Sequence, residues 1–258
     1  MAVTVEKDLL DAQRREGFTT VTPYLQVTEA GLVDFLTKAF GAVETSTTSG
    51  QYGVHREVRI GDSMLMIGEG GAEGTTHART SFHVFVPDCD AVYERAIAAG
   101  GKSIGAPEDR PYGERSGFVE DRFGNYWFIA TSLGGSPVPE GSRMVTPYIY
   151  PPGVRPYIEF LTRAFGAVEE FVHEVNGRVM HARVHIGDGA IVMGEAQNLR
   201  DEWKATFYLY VGDADALYER AVSAGATSLS APQDMWYGDR VASVRDDAGN
   251  TWYIARPA

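Results

Sequence analysis

The chain has 258 residues, 44% of them apolar and 11% aromatic, a composition that folds into globular domains rather than staying disordered. Its formal net charge of −12 argues against nucleic acid or an anionic membrane surface as partner, because both demand a basic face. One cysteine, Cys89, excludes a disulfide framework, and no apolar run approaches the roughly 20 residues of a membrane-spanning helix. With Glu6-Lys7-Asp8 where a leader would be apolar, a cytoplasmic location is expected.

Residues 1–19 read as an N-terminal extension, with Val5 to Glu16 either a short amphipathic helix around Leu9, Leu10 and Ala12 or an irregular leader. Thr22 to Val27 alternates as a strand does. Glu29 to Phe40 carries Leu32, Val33, Leu36, Ala39 and Phe40 at helical spacing and stops at Gly41, a natural C-cap. Short strands are expected at Val43 to Thr48, His55 to Ile60 and Met64 to Ile67, with turns at Ser49-Gly50 and Gly61-Asp62. The order then restarts: strand Ser81 to Val86, helix Asp88 to Ala99, and strands near Ser103, at Gly117 to Glu120 and at Tyr126 to Ala130.

After a glycine- and proline-rich linker at 132–143, the whole pattern recurs. Val21-Thr22-Pro23-Tyr24 returns at Val145-Thr146-Pro147-Tyr148, and FLTKAFGAVE (35–44) returns as FLTRAFGAVE (160–169). Tyr93-Glu94-Arg95 returns at Tyr218-Glu219-Arg220, and Gly124-Asn125-x-Trp127 at Gly249-Asn250-x-Trp252, all at spacings of 124 to 126 residues. A period this long duplicates a domain rather than building a short solenoid. The expected domains are 20–131 and 144–258, each a pair of βαβββ modules, giving an α+β chain of four modules.

That order of elements, with AFGA closing the first helix, IGD turning a hairpin and D-x-x-GN-x-W-x-IA at the end, resembles the vicinal oxygen chelate superfamily of glyoxalases, bleomycin-resistance proteins and ring-cleaving dioxygenases. The resemblance covers about residues 20–131 and 144–256. It implies tandem modules curling into open, cup-shaped half-barrels with the site inside the cup. Members range from metal-dependent isomerases, lyases and dioxygenases to proteins that only sequester a drug, so fold does not settle function.

The resemblance also implies where a metal would be held. The first-strand ligand position falls on Thr22 or Thr146, the fifth-strand position on Ser81 or Thr206, and the last-strand position on Phe128 or Tyr253. Only the fourth-strand position offers carboxylates, Glu69 and Glu195. A divalent ion needs several converging N or O donors, so no metal or other cofactor is expected. The alternative is a divalent metal ion held by Glu69, Glu195, His55 and His181, since His55 and His181 are aligned partners. The same two histidines, and His83, are the candidate proton carriers. His77 and His173 read as surface residues.

By alternation, the face shared with Thr22 carries Tyr24 in the first copy and Tyr148 and Tyr150 in the second. The fifth strand adds His83 and Phe85, against Tyr208 and Tyr210. The last adds Phe128 against Tyr253, and Trp236-Tyr237 stands in the loop before the seventh strand of the second copy. Trp127, Ile129, Trp252 and Ile254 would pack on the opposite face, beneath the helices. The aromatic wall suits a planar or aromatic small molecule, or it fills its own interior; both readings stay open. Glu114 and Arg115 read as turn and cross-sheet partners rather than as site residues. Cys89, flanked by acids, is not expected to be a nucleophile.

Three functions remain: a metal-free binder of the resistance or sequestration type, a divalent-metal lyase or isomerase of the glyoxalase type, and a metal-independent acid/base enzyme. The expected partner is a small-molecule ligand, with the chain a monomer or homodimer.

Overall fold

Alternation and helical spacing become β1 (Val21–Val27), α1 (Leu32–Phe40), β2 (Val43–Gly50), β3 (Gly53–Ile60), β4 (Ser63–Glu69), β5 (Ser81–Phe85), α2 (Cys89–Ala98), β6 (Lys102–Arg110), β7 (Glu114–Glu120) and β8 (Tyr126–Ser132) in the first copy. The second repeats them as β9 (Val145–Ile149), α3 (Val154–Phe165), β10 (Val168–Val175), β11 (Arg178–Ile186), β12 (Gly189–Met193), β13 (Thr206–Tyr210), α4 (Ala214–Ser223), β14 (Thr227–Asp234), β15 (Arg240–Arg245) and β16 (Thr251–Arg256). The computed structural model describes residues 9–12, 14–50, 53–70, 79–195 and 203–258. The strands form two open, mixed eight-stranded sheets, ordered β14-β15-β16-β13-β1-β4-β3-β2 and β10-β11-β12-β9-β5-β8-β7-β6. No helix among the described residues is long and apolar enough to cross a membrane.

Several boundaries differ from the sequence reading. Helix α1 begins at Leu32, three residues later than expected, because residues 28–30 bend and the Phe35 amide first bonds the Gly31 carbonyl. Strand β2 runs through Ser49 and Gly50, where a turn was expected, and Gly50 pairs with Gly53. Strands β6 and β14 extend across Pro107 and Pro232. Both are end strands of their sheets, where a missing amide donor is tolerated, and both carry bulges. Of the Val5 to Glu16 helix, only Leu9 and Leu10 are helical among the described residues.

The chain divides into two compact units, Leu25–Tyr148 and Ile149–Ala258 with the residues up to Tyr24. In the first unit, Leu32, Leu36 and Ala39 of α1 and Val92 and Ala96 of α2 are buried against Leu65, Phe82, Trp127 and Ile129. In the second, Leu161, Phe165, Leu217 and Ala221 are buried with Phe207, Trp252 and Ile254. Each buried indole stacks on the neighbouring strand's phenylalanine: Trp127 on Phe82 at 4.7 Å and Trp252 on Phe207 at 4.3 Å.

The repeated motifs are scaffold devices. Helices α1 and α3 end at Gly41 and Gly166, whose φ of 70° and 68° suit glycine at a helix C-cap. Arg95 of the Tyr-Glu-Arg motif donates from Nε to the Ala39 carbonyl (3.3 Å), and Arg220 donates to the Thr162 carbonyl (2.9 Å). Each cation thus satisfies the carbonyl end of the neighbouring helix.

The D-x-x-GN-x-W motif is a buried carboxylate clamp. Asp121 accepts from the Phe123 and Asn125 amides (2.8 and 3.0 Å), the Asn125 side chain (2.9 Å) and the Trp127 indole (3.0 Å). Asp246 accepts from the Asn250 amide (2.8 Å), the Trp252 indole (2.8 Å) and the Tyr157 hydroxyl (2.7 Å). Asn125 and Asn250 in turn accept from the Thr80 and Ala205 amides just before β5 and β13. The turn requires Gly124 and Gly249, with φ of 81° and 86°.

Burial raises the Asp121 and Asp246 carboxyls above their ordinary range, while these hydrogen bonds pull the other way. A raised carboxyl contributes stability at low pH and loses it as pH rises through the folded value, so the clamps do not drive acid unfolding. Asp90 and Asp215 carry the opposite sign, being lowered chiefly by hydrogen bonds from Arg115 and Arg240. Their contribution is lost as pH falls through the folded value. Asp90→Asn with Asp215→Asn is therefore expected to flatten the acid limb of a Tm-versus-pH curve. Asp121→Ala, which orphans several buried donors, is expected to cost about 3 kcal/mol or more in urea unfolding.

Candidate functional site

The sheet faces away from the helices carry the candidate residues. In the first unit, Phe82, Val84, Trp127 and Ile129 point into the helix-side core, so His83 and Phe128 share the other face. Parallel pairing sets His83 opposite Phe128, antiparallel pairing sets Phe118 opposite Phe128, and Ser81 lies opposite Tyr148. The rings make a run of contacts: His83 to Phe85 at 4.3 Å, Phe118 to Phe128 at 5.1 Å and Phe128 to Tyr148 at 5.4 Å. The Arg110 guanidinium lies over the Phe118 ring at 4.8 Å.

His83 is the polar centre of this face. Its Nε2 sits 3.2 Å from Glu114 Oε2, and both side chains are largely covered, 12% and 19% exposed. Glu114 therefore faces the site, not the neighbouring turn amides expected of it. Arg115 does pair across the elements, gripping Asp90 through Nη2 at 2.6 Å and Asp109 through Nη1 at 3.0 Å.

In the second unit the same positions hold phenols. Tyr208 lies opposite Tyr253 in the parallel β13–β16 pair, with rings stacked at 6.2 Å. Tyr24 meets Tyr253 at 5.9 Å, and Tyr208 meets Tyr210 at 5.1 Å. The Tyr208 hydroxyl donates to Asp239 Oδ2 at 3.2 Å, the counterpart of the His83–Glu114 contact. Trp236 and Tyr237, 78% and 46% exposed, meet edge-on at 5.3 Å in the turn between β14 and β15.

Tyr210 is fully buried. The segment before β1 covers it: Phe18 packs edge-on at 5.6 Å and Arg15 Nη2 donates to its hydroxyl at 2.9 Å. Tyr150 is half-buried and packs edge-on against Trp203 at 5.5 Å. Neither cover was legible in the sequence, since no pattern links residues this far apart in the chain.

The four metal-ligand positions do not fit a divalent cation. Thr22, Thr146, Ser81 and Thr206 offer neutral hydroxyls, and Ser81 donates its own to the Tyr148 carbonyl at 2.6 Å. Glu69 is bonded by Arg56 Nε at 2.6 Å, and Glu195 pairs with Arg178 at 3.5 Å. Of the alternative ligands, His55 lies 3.6 Å from buried Glu57, and His181 stacks on Phe171 at 5.3 Å. Among the described residues no group of three His, Cys, Asp or Glu side chains converges. His173 is exposed, and His77 lies outside the described residues.

Burial dominates the electrostatics. It pushes the Tyr24 phenol up to about 12, helped by the neighbouring Tyr253 and Tyr237. It also raises Tyr208, helped by Tyr237 and Asp239, so these phenols act as neutral donors at neutral pH. Burial likewise pushes the Cys89 thiol up to about 11, with the flanking acids a smaller cause, and its Sγ donates to the Ile129 carbonyl.

A raised phenol contributes stability fully below about pH 10 and loses it as pH rises through the folded value. Tyrosinate absorbance is therefore expected to show a step near pH 12 that Tyr24→Phe removes. Cys89 is expected to resist Ellman's reagent at pH 8 until urea unfolds the chain.

The family model described as Glyoxalase/Bleomycin resistance protein/Dioxygenase superfamily matches residues 30–129 and 149–254. An uncharacterized protein of Mycobacterium tuberculosis (strain ATCC 25618 / H37Rv) is 34% identical over 133 residues, 46% of this chain and 75% of the relative. Among solved structures, glyoxalase I from Zea mays superposes with a TM-score of 0.72 at 13% identity, covering 92% of each chain. A putative dioxygenase from Bacillus subtilis subsp. subtilis str. 168 superposes with a TM-score of 0.61 at 13% identity, covering 92% of this chain and 85% of the other. At such identities the likeness is one of fold.

Proposed function

From a chain that belongs to the glyoxalase/bleomycin resistance protein/dioxygenase superfamily, we propose a cytoplasmic binder of small planar or aromatic molecules that works without a metal, of the resistance or sequestration type. The observation that carries this reading is the second unit's tyrosine face. Tyr24 and Tyr208 each contact Tyr253 on the side of the sheet away from the helix-side core. Phenols on a sheet offer flat apolar contact and a hydrogen-bonding tip together, which an aromatic compound with polar substituents matches. Trp236, exposed beside Tyr237, is the fluorophore chosen to report such a guest.

A metal-dependent lyase or isomerase has less support. The carboxylates available to it are neutralised by Arg56 and Arg178, which compete directly with a cation. An added ion would have to displace an arginine before it gained a ligand.

The test is quenching of tryptophan fluorescence by a panel of naphthoic, hydroxybenzoic and quinone-type compounds. At least one member is expected to bind saturably, with and without chelator. Tyr253→Ala is expected to weaken it about five- to tenfold, one aromatic contact's worth. No saturable quenching across the panel, or quenching that needs added metal, would remove the proposal.

A further inference from the structure

We infer that the first copy's face is a proton-transfer site, with His83 as its base, Glu114 as the partner that orients it, and a planar aryl carbonyl compound bearing an anionic oxygen as substrate. This goes beyond the binding reading, which rests on the second unit's tyrosines.

The two copies provide an internal control. His83 and Tyr208 hold the same place on β5 and β13, and Glu114 and Asp239 are aligned positions, Glu114 opening β7 and Asp239 just before β15. Both pairs are 3.2 Å apart. The scaffold thus needs a hydrogen-bonding pair at this position, and a phenol with a carboxylate satisfies it. An imidazole is not required for folding. Its presence in one copy adds a ring with two nitrogens, one to bond the carboxylate and one to accept a proton, which a phenol held neutral by burial does not offer.

A second difference points to the substrate. Arg110 stands where the other copy has Met235. Its guanidinium lies over Phe118, whose ring meets Phe128, the cross-strand partner of His83. Glu108 and the Ser116 hydroxyl hold Arg110 in place. One face therefore carries a cation, a flat aromatic wall and an imidazole–carboxylate pair. An aromatic body with a carbonyl and an anionic group matches all three.

The step balances without an oxidant or metal. In the tautomer that donates Nε2–H to Glu114, the His83 lone pair lies on Nδ1. It takes a proton from the carbon next to the substrate carbonyl: the C–H bond breaks, an N–H bond forms, and the electron pair moves to the carbonyl oxygen as an enolate. Glu114 stabilises the imidazolium, and the Arg110 charge favours the anion. Return of the proton to the same or a conjugated carbon completes exchange or isomerisation.

The probe is 4-acetylbenzoate, a planar aryl ketone with a carboxylate, incubated with the full chain in D2O. Loss of its acetyl proton signal by NMR reports exchange. The wild type is expected to accelerate exchange about 100-fold over buffer, with the rate followed as a function of pH. The double variant His83→Tyr, Glu114→Asp copies the second copy's pair, keeps the hydrogen bond, and is expected to fold with a wild-type Tm but to exchange at the buffer rate. Glu114→Gln is expected to lower the rate and displace the pH profile, and Arg110→Met to raise KM more than it lowers kcat. Exchange at the buffer rate in the wild type, or full exchange in the folded double variant, overturns the inference.

Discussion

Each copy buries the carboxylate of its D-x-x-GN-x-W motif, Asp121 or Asp246, and supplies it with backbone, amide and indole donors. Hydrogen bonds to a charged group contribute about 1.5–3 kcal/mol apiece, against a desolvation cost that rises steeply with burial. That balance favours folding only if all donors arrive together, which the tight turn at Gly124 or Gly249 ensures. The clamp then sets the rest of the layer. It fixes the indole of the last strand, and through Asn125 or Asn250 it holds the amide before the fifth strand of the copy. The parallel β5–β8 and β13–β16 pairs are thereby brought into register, and register decides which side chains face away from the helices.

That constraint explains how two copies share a scaffold yet differ in chemistry. On the helix side, Phe82 and Trp127 match Phe207 and Trp252, and a change there would disturb a close-packed core. On the other side the demand is weaker, only that a polar pair be satisfied beside flat rings. His83 with Glu114 and Tyr208 with Asp239 meet it equally at 3.2 Å. At the positions where the sequence resemblance would put a metal stand hydroxyls, rings and arginine-bound carboxylates.

The fold was legible because duplication writes the pattern twice, and motifs that recur are those the scaffold needs. Phe40-Gly41, Tyr93-Glu94-Arg95 and D-x-x-GN-x-W recur, and the structure gives them a helix cap, a helix-end cation and the buried clamp. The strand expected near Ser103 runs on to Arg110 across Pro107, which an end strand of a sheet tolerates and which sequence alone does not reveal. Alternation set out which residues share a face but not which of them touch. The His83–Glu114 contact spans 31 residues and depends on two successive strand registers, one parallel and one antiparallel. The cover over Tyr210 comes from Arg15 and Phe18, outside the repeat, where the sequence offers no second copy to compare.

The central proposal is that these faces hold aromatic molecules without a metal. Crystals soaked in both Mn(II) and 4-bromobenzoate test it directly, because anomalous scattering locates manganese and bromine separately. The account predicts a bromine peak against Tyr253 or Phe128 and no manganese peak within bonding distance of Thr22, Ser81, Glu69 or their counterparts. A manganese ion ligated at those positions, with no bromine on either aromatic face, would contradict it.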